Sequence, residues 1–297
     1  SMTTGTDRRS VLTGLGALGA AGCVDRRPTG AEESSPIQVR EIDLSALEAR
    51  HGGRLGICVQ DKQAVVQWRS DERFLYCSTF KLFLAAATLQ RVMQGLERFD
   101  RQVPVVAADL LSHAPMTERA VGGTLSIRDL CRAAVEFSDN PAANILIREL
   151  GGLDALRAWY RSKGDRFTSI DRVEPQLNRP DGDKDTTSPA QTVRNLNAIL
   201  TGTLSGQEFK SLMGWLQDSP TGPNRIKAGV PAGWNVWHKT GTGAGGPTND
   251  IGYLGSVDAG QLIIAVYYDA LGGVSIPQQE AVIADVTRIA LKALGHD

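Results

Sequence analysis

A serine and a lysine three residues apart, Ser78 and Lys81, open an apolar run that continues to Leu89. Residues three apart share one face of a helix, so the run predicts a helix that holds the hydroxyl and the amine side by side near its N-terminus. The apolar surroundings predict that Lys81 is buried, and burial lowers the pKa of a lysine. A neutral amine beside a hydroxyl can activate the serine as a nucleophile without histidine. A serine cap before a core helix with one snorkelling lysine explains the same spacing, and S-x-x-K occurs often by chance.

Three further polar clusters follow along the chain, and each has an ordinary structural explanation when it is taken alone. The Ser-Asp-Asn run at 138–140 precedes a helix opened by Pro141, where it fits a helix cap. The Glu-Pro-Gln-Leu-Asn run at 174–178 lies in a polar loop at 166–187, and a loop this long within a compact domain is usually functional. The Lys-Thr-Gly run at 239–241 fits the charged end of a strand.

The order S-x-x-K, S-D-N, K-T-G is the combination that marks class A β-lactamases and penicillin-binding proteins. On these motifs and on the cluster at 174–178, the chain from about residue 40 to its C-terminus resembles a class A serine β-lactamase. The resemblance implies an α+β fold, an α/β/α sandwich in which an antiparallel five-stranded sheet is flanked by helices. It also implies that a mostly helical domain is inserted in the chain and that the active site lies between the two parts.

Strand-like segments near both ends of the chain and helical periodicity between them agree with this division. We expect an α/β domain made of residues 38–76 and 219–297, and a helical domain made of residues 77–218. Residues 1–37 are expected to be an export signal and a linker outside the folded enzyme.

The resemblance implies that Ser78 is the nucleophile, which attacks the β-lactam carbonyl and forms an acyl-enzyme. The backbone N–H groups of Ser78 and Thr242 would form the oxyanion hole. Lys81, or Glu174 acting through a water molecule, would accept the serine proton, and the sequence leaves both open.

Four other positions complete the catalytic set that the resemblance implies. Ser138, beside Lys239, would pass a proton to the leaving lactam nitrogen, and Asn140 would hold the substrate's side-chain amide. Glu174 and Asn178 would orient and activate the water that removes the acyl group, with Glu174 as general base.

A β-lactam carries a carboxylate, which needs a cation and hydrogen-bond donors in the site. The candidates on the strand that ends with K-T-G are Lys239, Thr240, Gly241 and Thr242. Arg225 precedes this strand and matches one of two arrangements by which the family supplies a guanidinium. The other arrangement would need an arginine at 247–249, and none is present there.

Four more positions are compared with the family without being given a catalytic role. His113 is expected to line the entrance of the site, where many members have an aromatic residue. Arg172 and Asp185 are expected to bridge the ends of the catalytic loop. His238 stands where many members have an acid, and its charge could modulate the lysine that follows it.

The first residues have the composition of an export signal. Arg8 and Arg9 precede a short Gly- and Ala-rich segment that ends at Cys23, an order typical of twin-arginine export. The segment is too short to span a bilayer, so we expect an exported protein, periplasmic or secreted, without a stable membrane span. Cys23 after Ala-Ala-Gly is also compatible with a lipoprotein.

The composition is that of an ordinary globular enzyme and argues against several partners. The 297 residues carry a net charge of −1, with 32 basic and 33 acidic residues spread along the chain, which disfavours nucleic acid. The four histidines form no metal-binding pair, so we expect no metal and no cofactor. Three cysteines follow the signal, an odd number that implies no disulfide framework. We expect a monomer that acts on a small β-lactam.

Two other functions fit parts of the motif set. A penicillin-binding D-Ala-D-Ala carboxypeptidase uses the same trio, but it lacks a deacylating base, so Glu174 and Asn178 favour the β-lactamase. A non-catalytic cell-wall or drug-binding module that kept the fold is disfavoured, because every catalytic position is intact.

Overall fold

The computed structural model describes residues 35–297, and residues 36–297 form one compact unit. The predicted export signal lies outside the described residues. Within the part of the chain that is described, no helix is both long enough and apolar enough to cross a bilayer.

The chain alternates strands and helices at its two ends and is mostly helical between them. The strands are β1 (Gln38–Glu41), β2 (Arg54–Gln60), β3 (Ala64–Trp68), β4 (Phe74–Leu75), β5 (Gln102–Pro104), β6 (Thr124–Ser126), β7 (Thr186–Thr187), β8 (Asn235–Thr242), β9 (Pro247–Ser256) and β10 (Gly260–Asp269). The helices are α1 (Ser45–His51), α2 (Phe80–Met93), α3 (Ile127–Glu136), α4 (Asn140–Leu150), α5 (Leu153–Ser162), α6 (Pro189–Ala198), α7 (Gly206–Asp218), α8 (Ile226–Gly229) and α9 (Ile276–Ala293).

The main sheet has six strands in the order β1-β3-β2-β10-β9-β8, whereas the sequence predicted five. Five of them pair antiparallel as predicted, and β1 adds a parallel edge strand against β3. All four residues of β1 are exposed, and its one aliphatic residue, Val39, is 62% exposed. The strand is held by backbone pairing and by exposed polar contacts such as Arg40 to Ala293 O, and it lacks the apolar alternation that would reveal it in a sequence.

The central strand β10 is buried on both faces and separates two apolar clusters. Its side chains alternate, so that Ile264 and Val266 join the cluster covered by α9, while Ala265 and Tyr267 join the cluster built with the central helices. A strand covered on both faces reads as a continuous apolar run, as this one does. The predicted α+β class is confirmed, with helices on both faces of one sheet. The division of the chain at residues 77 and 218 stays a prediction.

Helix α2 begins two residues later than the sequence predicted, because a short 3₁₀ turn, Cys77–Thr79, precedes it. Its first ten residues, 80–89, are all buried. A helix that is apolar on every side belongs in a core. The turn that carries Ser78 therefore rests on a helix whose first ten residues lie in the core.

Buried capping interactions fix the Ser-Asp-Asn run between α3 and α4. Asp139 caps α4, since its Oδ1 accepts from the backbone N–H of Ala142 at 3.0 Å. The same carboxylate accepts from the backbone of Met116 and from both the backbone and the hydroxyl of Thr117. Because Asp139 is fully buried, these donors replace its hydration and lock the position of the residues on either side.

Candidate active site

Ser78 lies in the short turn before α2, where its backbone is held from two sides. The backbone N–H and the hydroxyl of Thr79 both donate to Tyr76 O, at 3.2 and 2.7 Å. Cys77 has a φ of +50°, a left-handed conformation that surrounding contacts must enforce in a non-glycine residue. Ser78 keeps 9% of its surface exposed, so its hydroxyl is rigidly placed yet reachable.

Strand β8 presses directly against this turn. A Cβ atom on Gly241 would come within 2.9 Å of Tyr76 O and 3.1 Å of the Ser78 backbone nitrogen, so only glycine fits there. Asn249 on the neighbouring strand anchors the turn, because its Nδ2 donates to Leu75 O at 2.8 Å. The backbone of Thr242, next after Gly241, is thereby brought beside the nucleophile turn.

Lys81 is fully buried and is held by three kinds of oxygen. Its Nζ donates to Asn140 Oδ1 at 2.6 Å and to Ser138 O at 2.8 Å, and it lies 3.4 Å from Glu174 Oε1. Burial lowers the pKa of this ammonium below its ordinary value, while the Glu174 carboxylate opposes the shift. Burial and the lowered pKa both confirm what the apolar sequence around Lys81 predicted.

The Ser138 hydroxyl lies between two lysines. Its Oγ accepts from Lys239 Nζ at 3.0 Å and from Lys81 Nζ at 3.3 Å. Burial lowers the pKa of Lys239 well below its ordinary value, and the nearby Lys81 charge lowers it further. A hydroxyl has two acceptor sites and one hydrogen, so Ser138 can accept from both lysines and still donate its own proton.

Glu174 and Asn178 meet beside Lys81 although their loop contains only one 3₁₀ turn before β7 at its end. Asn178 Nδ2 donates to Glu174 Oε2 at 2.6 Å. Two buried acceptors in this pair, Glu174 Oε1 and Asn178 Oδ1, have no hydrogen-bond donor among the described residues. Buried acceptors without a partner are costly, and ordered water commonly satisfies them.

Asn144 fastens this loop to the helical core, a role that sequence reasoning missed. Its Oδ1 accepts from the backbone N–H of Glu174 at 3.0 Å, and its Nδ2 donates to Glu174 O at 2.9 Å. The available signal was its position on α4, since it follows Asn140 by four residues and residues four apart share a helix face.

Arg172 and Asp185 join the ends of the loop, as the sequence predicted. Arg172 Nε lies 2.5 Å from Asp185 Oδ2, and Asp185 is fully buried. Asp185 Oδ1 also accepts from the backbone of Asp171 and Arg172 and from the hydroxyl of Tyr76, at 3.0, 2.9 and 3.2 Å. This carboxylate therefore ties the loop to the residue two before the nucleophile.

Arg225 reaches the same strand end as a buried cation. Its guanidinium donates to Gly241 O at 2.9 Å, to Asn249 O at 3.0 Å and to Thr242 Oγ1 at 2.8 Å. The guanidinium is thus placed beside the Lys-Thr-Gly end of β8. Its Nε also lies 3.3 Å from Glu280 Oε2, so the cation is already paired within the protein. Its interpretation as a substrate-carboxylate ligand stays a prediction.

The two histidines take different places. His113 is exposed with a φ of +59°, its Nε2 lies 2.8 Å from Phe137 O, and its carbonyl accepts from the backbone of Asn140. It is therefore attached to the rim beside the Ser-Asp-Asn run. His238 and Lys239 are consecutive on β8 and point to opposite faces. His238 is buried there with its Nδ1 2.8 Å from Asp250 Oδ1.

In the described range, 35–297, no group of three or more His, Cys, Asp or Glu side chains is arranged to hold a metal ion. Cys58, Cys77 and Cys131 are buried free thiols, and burial raises the pKa of all three. A raised pKa leaves little thiolate, so these cysteines are poor nucleophiles.

The fold and the site define a serine enzyme of the β-lactamase kind, and comparison with known proteins agrees. A family model described as the Beta-lactamase enzyme family matches residues 40–294. Beta-lactamase L2 of Stenotrophomonas maltophilia is 40% identical over 85% of this chain and 85% of its own length. Beta-lactamase CTX-M-8 of Citrobacter amalonaticus is 39% identical over 79% of this chain and 84% of its own length.

A solved structure gives the same answer for the fold. The class A beta-lactamase of the last common ancestor of Gram-negative bacteria superimposes with a TM-score of 0.81, at 44% identity, over 84% of this chain and 97% of that one. The chain belongs to the Beta-lactamase enzyme family, and the resemblance to class A members is confirmed.

Replacing Asp185 by Asn should destabilise the protein by about 3–5 kcal/mol, because it leaves the Arg172 guanidinium without its buried partner. Asn tolerates the left-handed backbone at this position, so the change removes charge without adding strain. Urea unfolding followed by tryptophan fluorescence measures the difference. Lys184→Ala is the matched control, since the Lys184 side chain is 53% exposed and pairs only with Asp181. If Asp185→Asn and Lys184→Ala were equally stable, the proposed contribution of the buried Arg172–Asp185 pair would be contradicted.

Replacing Lys239 by Met should stabilise the fold by about 1–4 kcal/mol, because it removes a buried charge that has no carboxylate in contact. The pKa of Lys239 is lowered on folding, so the unfolded chain binds more protons between that value and 10.5. Wild-type stability therefore rises with pH across this window, and the advantage of Met shrinks as the pH increases.

Thermal unfolding of wild type and Lys239→Met at neutral and mildly alkaline pH measures this difference. The exposed Lys210→Met is the control and should match the wild type within about 0.5 kcal/mol. An advantage of Lys239→Met that grows with pH would contradict the lowered pKa.

Proposed function

We propose that Ser78, Lys81, Ser138, Glu174 and Lys239 hydrolyse the β-lactam amide through an acyl-enzyme on Ser78. Membership of the Beta-lactamase enzyme family makes the chain a β-lactam hydrolase, which provides antibiotic resistance. The roles of the individual residues rest on the distances and burial described above. The carboxypeptidase alternative receives no support from the relatives reported above, which are β-lactamases.

Acylation begins when Ser78 Oγ attacks the lactam carbonyl carbon. The oxygen that becomes negative lies between the N–H groups of Ser78 and Thr242, and removing one such donor in other hydrolases costs about 2.7–4 kcal/mol of barrier. The Ser78 proton passes to Lys81, or to Glu174 through a water molecule. Lys81 Nζ and Glu174 Oε1 are 3.4 Å apart, so both routes end in one shared cluster.

Collapse of the tetrahedral intermediate breaks the carbon–nitrogen bond, and the leaving nitrogen needs a proton. Ser138 is the donor, because its oxygen accepts from Lys239 and Lys81 while its own hydrogen stays available. The hydroxyl regains a proton from one of these two lysines. A lysine with a lowered pKa is suited to this exchange near neutral pH.

In deacylation, the buried oxygens of Glu174 and Asn178 position the attacking water. Asn178 Oδ1 is buried and has no hydrogen-bond donor among the described residues, and Glu174 Oε1 has only the Lys81 ammonium, 3.4 Å away. One water molecule has two hydrogens to offer these oxygens. Glu174 takes a proton from that water as it attacks the ester carbon. When the tetrahedral intermediate collapses, the carbon–oxygen bond to Ser78 breaks, and Ser78 Oγ takes a proton back from Glu174 or Lys81 to become the hydroxyl again. This pair of acceptors is the observation that favours a hydrolase over an enzyme that stalls after acylation.

The remaining residues hold the substrate. Arg225 and Lys239 supply positive charge for its carboxylate, and Thr240, Gly241 and Thr242 lie along the strand beside them. The Thr242 hydroxyl accepts from Arg225 and keeps its own hydrogen for the substrate. Asn140 uses one Nδ2 hydrogen on Ser112 O and keeps the second for the substrate's side-chain amide. His113 on the rim borders the entrance to this space.

Export completes the proposal. A β-lactamase protects its cell by acting before the drug reaches the cell wall, and Arg8, Arg9 and the Gly- and Ala-rich segment after them have the order of an export signal. We propose a periplasmic or secreted enzyme that acts as a monomer. Lipidation at Cys23 is the alternative form of the same export.

The test compares wild type with Glu174→Gln on the chromogenic cephalosporin nitrocefin, following turnover and the intact mass of the protein. The wild type should turn over continuously and carry no lasting adduct. Glu174→Gln should acylate and then stop, because glutamine cannot take the proton of the attacking water, so its mass should increase by one opened lactam. Glu118→Gln, an exposed change of the same chemistry, should behave as the wild type.

Three outcomes would contradict the proposed hydrolase function or the role given to Glu174. A lasting adduct on the wild type would indicate a carboxypeptidase-like enzyme that cannot deacylate. Absence of both turnover and adduct would leave only a binding module. Glu174→Gln turning over at the wild-type rate would refute the assignment of Glu174 as the deacylating base.

A further inference from the structure

A row of three hydroxyls runs from the end of α3 into the substrate pocket. Ser219 Oγ lies 3.0 Å from Glu136 O and 3.0 Å from Thr221 Oγ1. Thr221 Oγ1 in turn lies 2.8 Å from Thr240 Oγ1, which belongs to the Lys-Thr-Gly run. Each link is within ordinary hydrogen-bond distance, so the four groups form one connected chain.

The direction of every hydrogen in this row follows from its buried end. A carbonyl oxygen can only accept a hydrogen bond, so Ser219 donates its single hydroxyl hydrogen to Glu136 O. The hydrogen between Ser219 and Thr221 then belongs to Thr221. The hydrogen between Thr221 and Thr240 must therefore belong to Thr240.

The loop at 219–225, which carries Thr221, packs directly against Thr240. Gly222 has a φ of +56°, and a Cβ atom there would lie 2.6 Å from Thr240 Cγ2, so glycine permits the close approach. Lys227 Nζ donates to Ser219 O at 3.3 Å, and Arg225 N donates to Gly222 O at 3.1 Å. These two contacts fix the shape of the loop, and Arg225 joins the loop to the strand by donating to Gly241 O at 2.9 Å, independently of the hydroxyl row.

We propose that Thr221 is a specificity-determining residue that keeps the Thr240 hydroxyl proton turned away from the substrate anion. The inference rests on the proposed function, because the anion is the β-lactam carboxylate. With its hydrogen committed to Thr221, Thr240 presents oxygen lone pairs to the pocket that Arg225 and Lys239 make positive. A bound carboxylate must either go without this donor or make Thr221 turn its hydrogen from Ser219 to Thr240. The second choice leaves Ser219 Oγ with only the long 3.5 Å contact from the Thr221 backbone N–H.

The free energy of the hydrogen bond that is lost when Thr221 turns its hydrogen sets the expected change in substrate binding. A neutral hydrogen bond contributes about 0.5–1.5 kcal/mol, which corresponds to a change of about two- to tenfold in binding. The contact with the carboxylate persists through acylation, so the change is one of uniform binding. It should alter KM and leave kcat as it is.

Thr221→Val is the test, because valine keeps the shape of threonine and removes the acceptor that holds the Thr240 hydrogen. The substrates are benzylpenicillin and its methyl ester, which lacks the anion. We expect kcat/KM for benzylpenicillin to rise about two- to tenfold through a lower KM, with kcat unchanged. The ester should show no change. Thr221→Ser keeps the hydroxyl and should match the wild type on both substrates.

Several results would overturn the inference. These are an unchanged or higher KM for benzylpenicillin in Thr221→Val, an equal change for acid and ester, or the same gain in Thr221→Ser. If the valine variant fails to fold, Thr221→Ala applies the same test with less bulk. Absence of hydrolysis by the wild type would overturn the proposed function itself, and this inference with it. Hydrolysis by the wild type with no Thr221 effect would overturn the inference alone.

Discussion

The structure depends on the burial of two lysines and one glutamate around a single serine hydroxyl. Lys81 and Lys239 both donate to Ser138 Oγ, and Glu174 lies 3.4 Å from Lys81. Removing such charges from water is expensive, and the expense is reduced here by close oxygen partners and by lowered lysine pKa values. Loss of hydration also shifts the pKa of a buried lysine toward neutral pH, where it can both give and take protons. The burial that costs stability here therefore also suits these lysines to catalysis.

Four separate parts of the fold must meet to hold this cluster, and each is anchored in a different way. The Ser78 turn rests on the buried first ten residues of α2, and Asp139 locks the Ser-Asp-Asn run by capping α4. Strand β8 reaches the turn only because Gly241 has no side chain. Paired hydrogen bonds from Asn144 fasten the backbone of Glu174. The cluster therefore forms only when the sheet and the helices have both folded.

The sequence predicted the catalytic residues better than the residues that hold them in place. Ser78 and Lys81 were identifiable because their motif is local, and Arg172 with Asp185 because the family pattern contains them. Asn144 and Thr221 act through contacts with other segments of the chain. The sequence could show only that Asn144 shares a helix face with Asn140, and it does not show what either residue contacts. The exposed edge strand at 38–41 was missed for a related reason, since backbone pairing leaves no apolar signature. Tertiary contacts decide these features.

The central claim is that Ser78 carries the acyl group and that the N–H groups of Ser78 and Thr242 bind its oxygen. A crystal structure of Glu174→Gln soaked with benzylpenicillin tests it most directly. The account predicts continuous density from Ser78 Oγ to an opened lactam, with the ester oxygen within hydrogen-bond distance of both nitrogens. Density that joins the drug to another residue, or an intact lactam ring beside an unmodified Ser78, would contradict it.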